Sequence, residues 1–170
     1  ERMPSIELAL KNESTEMQFY LTEAERSKNP LAKTMFKMLA KDEEEHMNRI
    51  KALHEKLVAD KDWPQDMPIE VAGTNVKEVL DDLVQKVASA EDHNDDDEKA
   101  LEKAIAFEAN GAQFYADLAK VCSNPMEQKF FEFLASIERE HHLSLTETLA
   151  FLRDPEGWNM EQEKVRLDGA

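Results

Sequence analysis

Two sets of three residues recur at one spacing along this 170-residue chain. Glu13 is followed 30 residues later by Glu43-x-x-His46, and Glu108 by Glu138-x-x-His141, so that every corresponding position is offset by 95 residues. Four carboxylates and two imidazoles are the donors that a pair of redox metal ions takes. One Glu from each of two helices, with a Glu-x-x-His from each of two others, is the arrangement of carboxylate-bridged di-iron and di-manganese centres in four-helix bundles. The three-residue interval matters because residues i and i+3 share a helix face, so one helix offers a carboxylate and an imidazole to the same ion. The mixed oxygen and nitrogen set suits iron or manganese better than zinc.

The competing reading is a solvated acidic face, since the chain holds 37 Asp and Glu and the run Asp42-Glu43-Glu44-Glu45-His46 is highly charged. Helical phase decides against it. The apolar stripe of the first helix reads Ile6, Leu10, Glu13, Met17, Tyr20, Ala24, in steps of three and four. The second reads Met35, Leu39, Glu43, His46, Ile50, Leu53, Leu57. The third reads Leu101, Ile105, Glu108, Ala112, Tyr115, Ala119, and the fourth Leu134, Glu138, His141, Leu145, Leu149, Leu152. All four stripes are interrupted by ionisable residues at one level. Buried carboxylates cost several kcal/mol each unless neutralised, and two divalent cations balance four of them.

The elements that must position these residues are all helical. Only 4 Gly and 6 Pro are present, and Ala, Leu, Glu, Lys and Met, all strong helix formers, abound. Ser5 is expected to open a first helix that Asn29-Pro30 ends, and Pro30 to begin a second running to about Ala59. Asn124-Pro125 divides the third helix from a fourth that runs to about Leu152. The expected fold is an all-α, ferritin-like four-helix bundle over residues 1–153, built from hairpins 5–59 and 95–152. A long crossover, 60–94, joins them and carries a short amphipathic helix from Val76 to Ala88. The acidic run Glu91–Glu98 reads as linker and as charge suited to a helix N-terminus. The tail, 154–170, has little periodicity, and Trp158 is expected to order it against the bundle or another subunit.

The hairpins are an internal repeat. Ala9–His46 aligned without gaps on Ala104–His141 shows 14 identities in 38 positions, including Gln-Phe-Tyr (18–20 and 113–115) and both Asn-Pro pairs. Gln18 and Gln113 are expected at helix interfaces, and His54 and His93 at the surface. Tyr20 and Tyr115 lie two turns beyond Glu13 and Glu108 on the same faces, placed to hydrogen-bond a ligand, carry an oxidised intermediate, or simply pack.

A formal net charge of -16 argues against nucleic acid or an anionic membrane as partner. The single Cys122 allows no internal disulfide, and a reducing, cytoplasmic setting is expected. No apolar run approaches the roughly 20 residues needed to span a bilayer. Residues 1–15 are too polar for a secretory leader, although the chain begins at Glu1, which leaves a trimmed leader open.

With AKDEEEH and ASIEREHH and their upstream glutamates, the chain resembles the rubrerythrin family of ferritin-like di-iron proteins over about Ser5–Leu152. The resemblance implies Glu13, Glu43, Glu108 and Glu138 as carboxylate ligands, Glu43 and Glu138 as bridges, and His46 and His141 as nitrogen ligands. His142 is the neighbour if the register slips by one. Two iron ions per chain are implied, with manganese or a mixed pair as alternatives. Full-length rubrerythrins carry a four-cysteine rubredoxin module that one Cys cannot build, so reductant would come from an external, rubredoxin-like donor. They also carry an extra glutamate one turn past the third-helix ligand, where this chain has Gly111. Glu16, one turn past Glu13, is the nearest equivalent: either the asymmetry is reversed across the pseudo-two-fold and peroxidase chemistry is kept, or Glu16 merely faces a neighbouring helix and the activity is altered. With Tyr20 and Tyr115 it completes the catalytic candidates. The activity implied is reduction of hydrogen peroxide. The alternatives are a ferroxidase using dioxygen and a metal-binding bundle without turnover, and a homodimer is the expected assembly.

Overall fold

The computed structural model describes residues 2–60 and 95–168. The expected helix from Val76 to Ala88, and His93, lie outside them. Among the described residues there are five helices: α1 (Arg2–Arg26), α2 (Pro30–Asp60), α3 (Asp95–Val121), α4 (Pro125–Arg153) and α5 (Pro155–Asp168).

Each hairpin turn uses one device. Asn29 Oδ1 accepts the backbone N–H groups of Leu31 and Ala32 at 2.9 and 3.1 Å. Asn124 Oδ1 accepts those of Met126 and Glu127 at 2.8 and 3.3 Å. The proline that follows each cap has no N–H to satisfy, which fits the first helical position. The first turn of α3 is acidic, Asp95 to Glu98, as its helix dipole favours. Asp97 is buried there and accepts the Asn29 N–H at 3.2 Å, tying the α1–α2 turn to the start of α3.

Two apolar clusters fill the bundle, and a charged layer separates them. The first includes Tyr20, Ala24, Leu31, Phe36, Leu39, Leu101, Leu145, Leu152 and Trp158. The second includes Ile6, Ala9, Ile50, Leu57, Tyr115, Phe131 and Leu134. Chain direction follows from the order in which each helix meets them. α1 and α4 run from the second cluster to the first, and α2 and α3 from the first to the second. α2 and α3 are therefore parallel, and α2 ends at the opposite end of the bundle from the start of α3. This is the topology of an all-α bundle with a crossover connection.

The tail differs from the expectation of an unpatterned segment. Asp154 ends α4 through a bond from its N–H to Ala150 O at 3.0 Å. It then caps α5, its Oδ1 accepting the Gly157 N–H at 2.9 Å. The pattern is weak because α5 is mostly exposed and buries Trp158, edge-on to Phe151 at 5.5 Å. Gln18 and Gln113 are exposed rather than interfacial. Each lies five residues past a buried glutamate, about 140° around the helix. His54 is half-buried, with Nε2 3.8 Å from Glu7 Oε1.

Candidate metal centre

Each helix delivers its ionisable residues to the layer between the clusters because they sit in phase with its apolar stripe. Glu13, Glu43, Glu108 and Glu138 have no exposed surface, and His46 and His141 are almost fully buried. Two groups form in which every residue offers a donor atom within 4.8 Å of the others'. One is Glu13, Glu43, His46 and Glu138, and the other is Glu43, Glu108, Glu138 and His141. Glu43 and Glu138 belong to both.

The sharing is visible atom by atom. Glu43 Oε2 lies 3.2 Å from His46 Nδ1, and its Oε1 lies 3.1 Å from His141 Nδ1. Glu13 Oε2 is 3.3 Å from His46 Nδ1, and Glu108 Oε2 is 3.5 Å from His141 Nδ1. The two imidazoles are nearly parallel, 5.7 Å between centroids. His142 joins neither group.

Burial pushes the Glu13 carboxyl up to about 8, helped by the Glu43 charge. Glu138 and Glu16 are raised well above the usual range by burial first and then by neighbouring carboxylates. Burial also acts upward on Glu43, but His141 and His46 outweigh it and hold that carboxyl below the usual range. Burial lowers His46, yet Glu13 and Glu43 reverse this and carry it up to about 9. The layer is short of positive charge, and protons supply what they can.

The unpartnered atoms fit a metal pair. Glu13 Oε2, Glu43 Oε1, Glu108 Oε2, both oxygens of Glu138 and His141 Nδ1 are buried without a hydrogen-bond partner. Buried polar atoms are normally paired, and these six, the majority of the eleven such side-chain atoms among the described residues, cluster in the two groups. Two divalent cations would satisfy them and balance the four glutamates.

Supporting contacts cross between the repeats. Tyr20 donates its hydroxyl to Glu108 Oε1, and Tyr115 donates to Glu13 Oε1. Burial, and then the carboxylate beside each, push both phenols upward, so both remain donors. Each ring stacks on the corresponding phenylalanine of the next helix, Tyr20 on Phe36 at 6.1 Å and Tyr115 on Phe131 at 6.3 Å. Glu16 belongs to neither group but is buried, its Oε2 unpartnered. It faces Gly111, where an added Cβ would lie 3.4 Å from Glu16 Oε1 and 2.6 Å from Glu138 Oε2. Sequence reasoning did not single out Asp42, whose Oδ2 lies 3.4 Å from His141 Nε2. The only signal was its place beside Glu43.

Shared carboxylates and paired imidazoles at mid-height of a crossover bundle define a ferritin-like carboxylate protein. The family model for rubrerythrin matches residues 5–149 and residues 99–166. The chain belongs to the rubrerythrin family. No curated protein and no solved structure matched it. Among the described residues no helix is long and apolar enough to cross a membrane.

Proposed function

We propose that this chain is a di-iron oxidoreductase that reduces hydrogen peroxide to water with electrons from an external, rubredoxin-like donor. The observation that carries the reading is the pair of buried ligand groups sharing Glu43 and Glu138, in a chain of the rubrerythrin family. Glu13, Glu43, His46 and Glu138 would hold one ion, and Glu43, Glu108, Glu138 and His141 the other. The iron pair would supply the two electrons that convert peroxide and two protons into two waters, and would polarise the oxygens.

The protein's own part is to orient and exclude. Tyr20 and Tyr115 fix one oxygen of Glu108 and of Glu13, leaving the other free to ligate. The apolar clusters on either side keep bulk water from the layer. Gly111 leaves room beside Glu138 and Glu16, so Glu16 serves as an additional carboxylate that can approach or withdraw as charge changes. The same reading takes a cytoplasmic homodimer as the working form.

The test is anaerobic stopped-flow mixing of protein carrying two ferrous ions with hydrogen peroxide and, separately, with dioxygen. Much faster oxidation by peroxide is expected. Oxidation mainly by dioxygen would replace this reading with a ferroxidase, and binding without turnover, with donor supplied, would leave a metal-holding bundle.

A further inference from the structure

The two halves of the centre are related by the repeat, but their imidazoles are not held alike. His141 Nδ1 faces Glu43 and Glu108, and its other ring nitrogen, Nε2, meets Asp42 Oδ2 at 3.4 Å. The Asp42 side chain is only 12% exposed. His46 also turns Nδ1 to its carboxylates, Glu13 and Glu43. Among the described residues, both of its ion-pair contacts are made through that nitrogen. The repeat partner of Asp42, 95 residues on, is Ile137, which cannot accept a hydrogen bond.

We infer that Asp42 is a positioning residue that makes the two metal positions unequal, so that the His141 position fills first and holds its ion more tightly. The inference rests on the di-metal reading above. A carboxylate on the outer nitrogen keeps the proton at Nε2 and the lone pair at Nδ1. It also locks the ring plane and makes the ligating nitrogen a stronger donor. Among the described residues no carboxylate holds the outer nitrogen of His46 in this way. Removing such an outer partner typically weakens metal binding by about 10–100-fold, and that is the difference expected between the positions.

The experiment loads the metal-free chain, residues 1–170, with one Mn(II) per chain and maps its position by anomalous scattering. Wild type, Asp42→Ala and Asp42→Asn are compared, with affinities from Mn(II) titration followed by electron paramagnetic resonance. Manganese is expected at the His141 position in wild type. In Asp42→Ala the tighter step should weaken by about 10–100-fold, with the ion spread over both positions. Asp42→Asn, which keeps an acceptor without the charge, should fall between. A merely structural role would lower the melting temperature without redistributing the ion. Equal occupancy in wild type, or an unchanged preference in both variants, would overturn the inference and leave the di-metal reading standing. Failure of wild type to bind Mn(II) or Fe(II) at all would overturn both.

Discussion

Tyr115 on α3 donates its hydroxyl to Glu13 on α1, and its repeat partner Tyr20 on α1 donates to Glu108 on α3. Each hairpin thereby steadies a carboxylate of the other. The bonds are buried and end on groups poised for charge, where a hydrogen bond contributes more than in water.

Replacing either tyrosine with phenylalanine should therefore lower stability by about 1.5–3 kcal/mol while metal content stays at two ions per chain. Urea denaturation of the loaded protein, with elemental analysis alongside, checks both. Retained peroxide turnover in the double variant would assign the phenols to holding carboxylates; its abolition with full metal content would assign them to electron transfer.

Shared and unshared carboxylates should differ on truncation. Glu43→Ala or Glu138→Ala removes a donor from both groups and should leave fewer than one tightly bound ion per chain. Glu13→Ala or Glu108→Ala touches one group and should leave about one, consistent with the loss of a single ligand set. Two ions retained in Glu43→Ala and Glu138→Ala would defeat the assignment.

The metal-free protein should lose stability as pH rises. Glu13 climbs from 4.5 to about 8 on folding, so its neutral form is favoured in the native state and that contribution fades as pH rises through about 8. His46 climbs from 6.5 to about 9, giving stability that is fully present below 6.5 and lost as pH rises through 9. Both slopes have the same sign. Glu43 runs the other way, since its carboxyl is held below the usual range, and its contribution is lost in acid. Metal binding displaces protons and strengthens with pH. The gap between loaded and metal-free melting temperatures should widen from about pH 6 to about pH 8.5, as calorimetry would show.

Gly111→Ala should separate folding from binding. Alanine favours a helix interior by about 1 kcal/mol over glycine, but its Cβ would lie 2.6 Å from Glu138 Oε2. The carboxylate is the flexible partner and must move. The metal-free variant should melt no lower than wild type, while metal binding weakens by about tenfold. Unchanged affinity by titration calorimetry would show that Glu138 does not need that space.

The burial of the six candidate residues was legible because a core-facing helix stripe has a period of three to four residues, and Glu and His stand out when they occupy that period. All six candidates lie in the layer where the stripes placed them. What stayed hidden depends on distances between helices. Periodicity along one helix cannot say that Tyr20 would meet Glu108 on α3 rather than a residue of its own hairpin. Nor does it reveal that Asp42, half out of phase, reaches across to His141. The helix after Asp154 was missed because one buried tryptophan makes no stripe, and its start is set by a cap rather than by apolar residues.

Within each hairpin the helices pack closely along their length, and between hairpins the backbones approach far less. The shared carboxylates stand in that wider gap. The group around His46 takes three residues from the first hairpin and borrows Glu138 from the second, and the group around His141 borrows Glu43 in return. Neither hairpin owns a complete site. Metal would then act as a clasp, drawing two half-chains together by an exchange of one side chain each. A chain cut between residues 60 and 95 would be a pair of fragments that the shared apolar clusters bring together and that metal would hold more tightly.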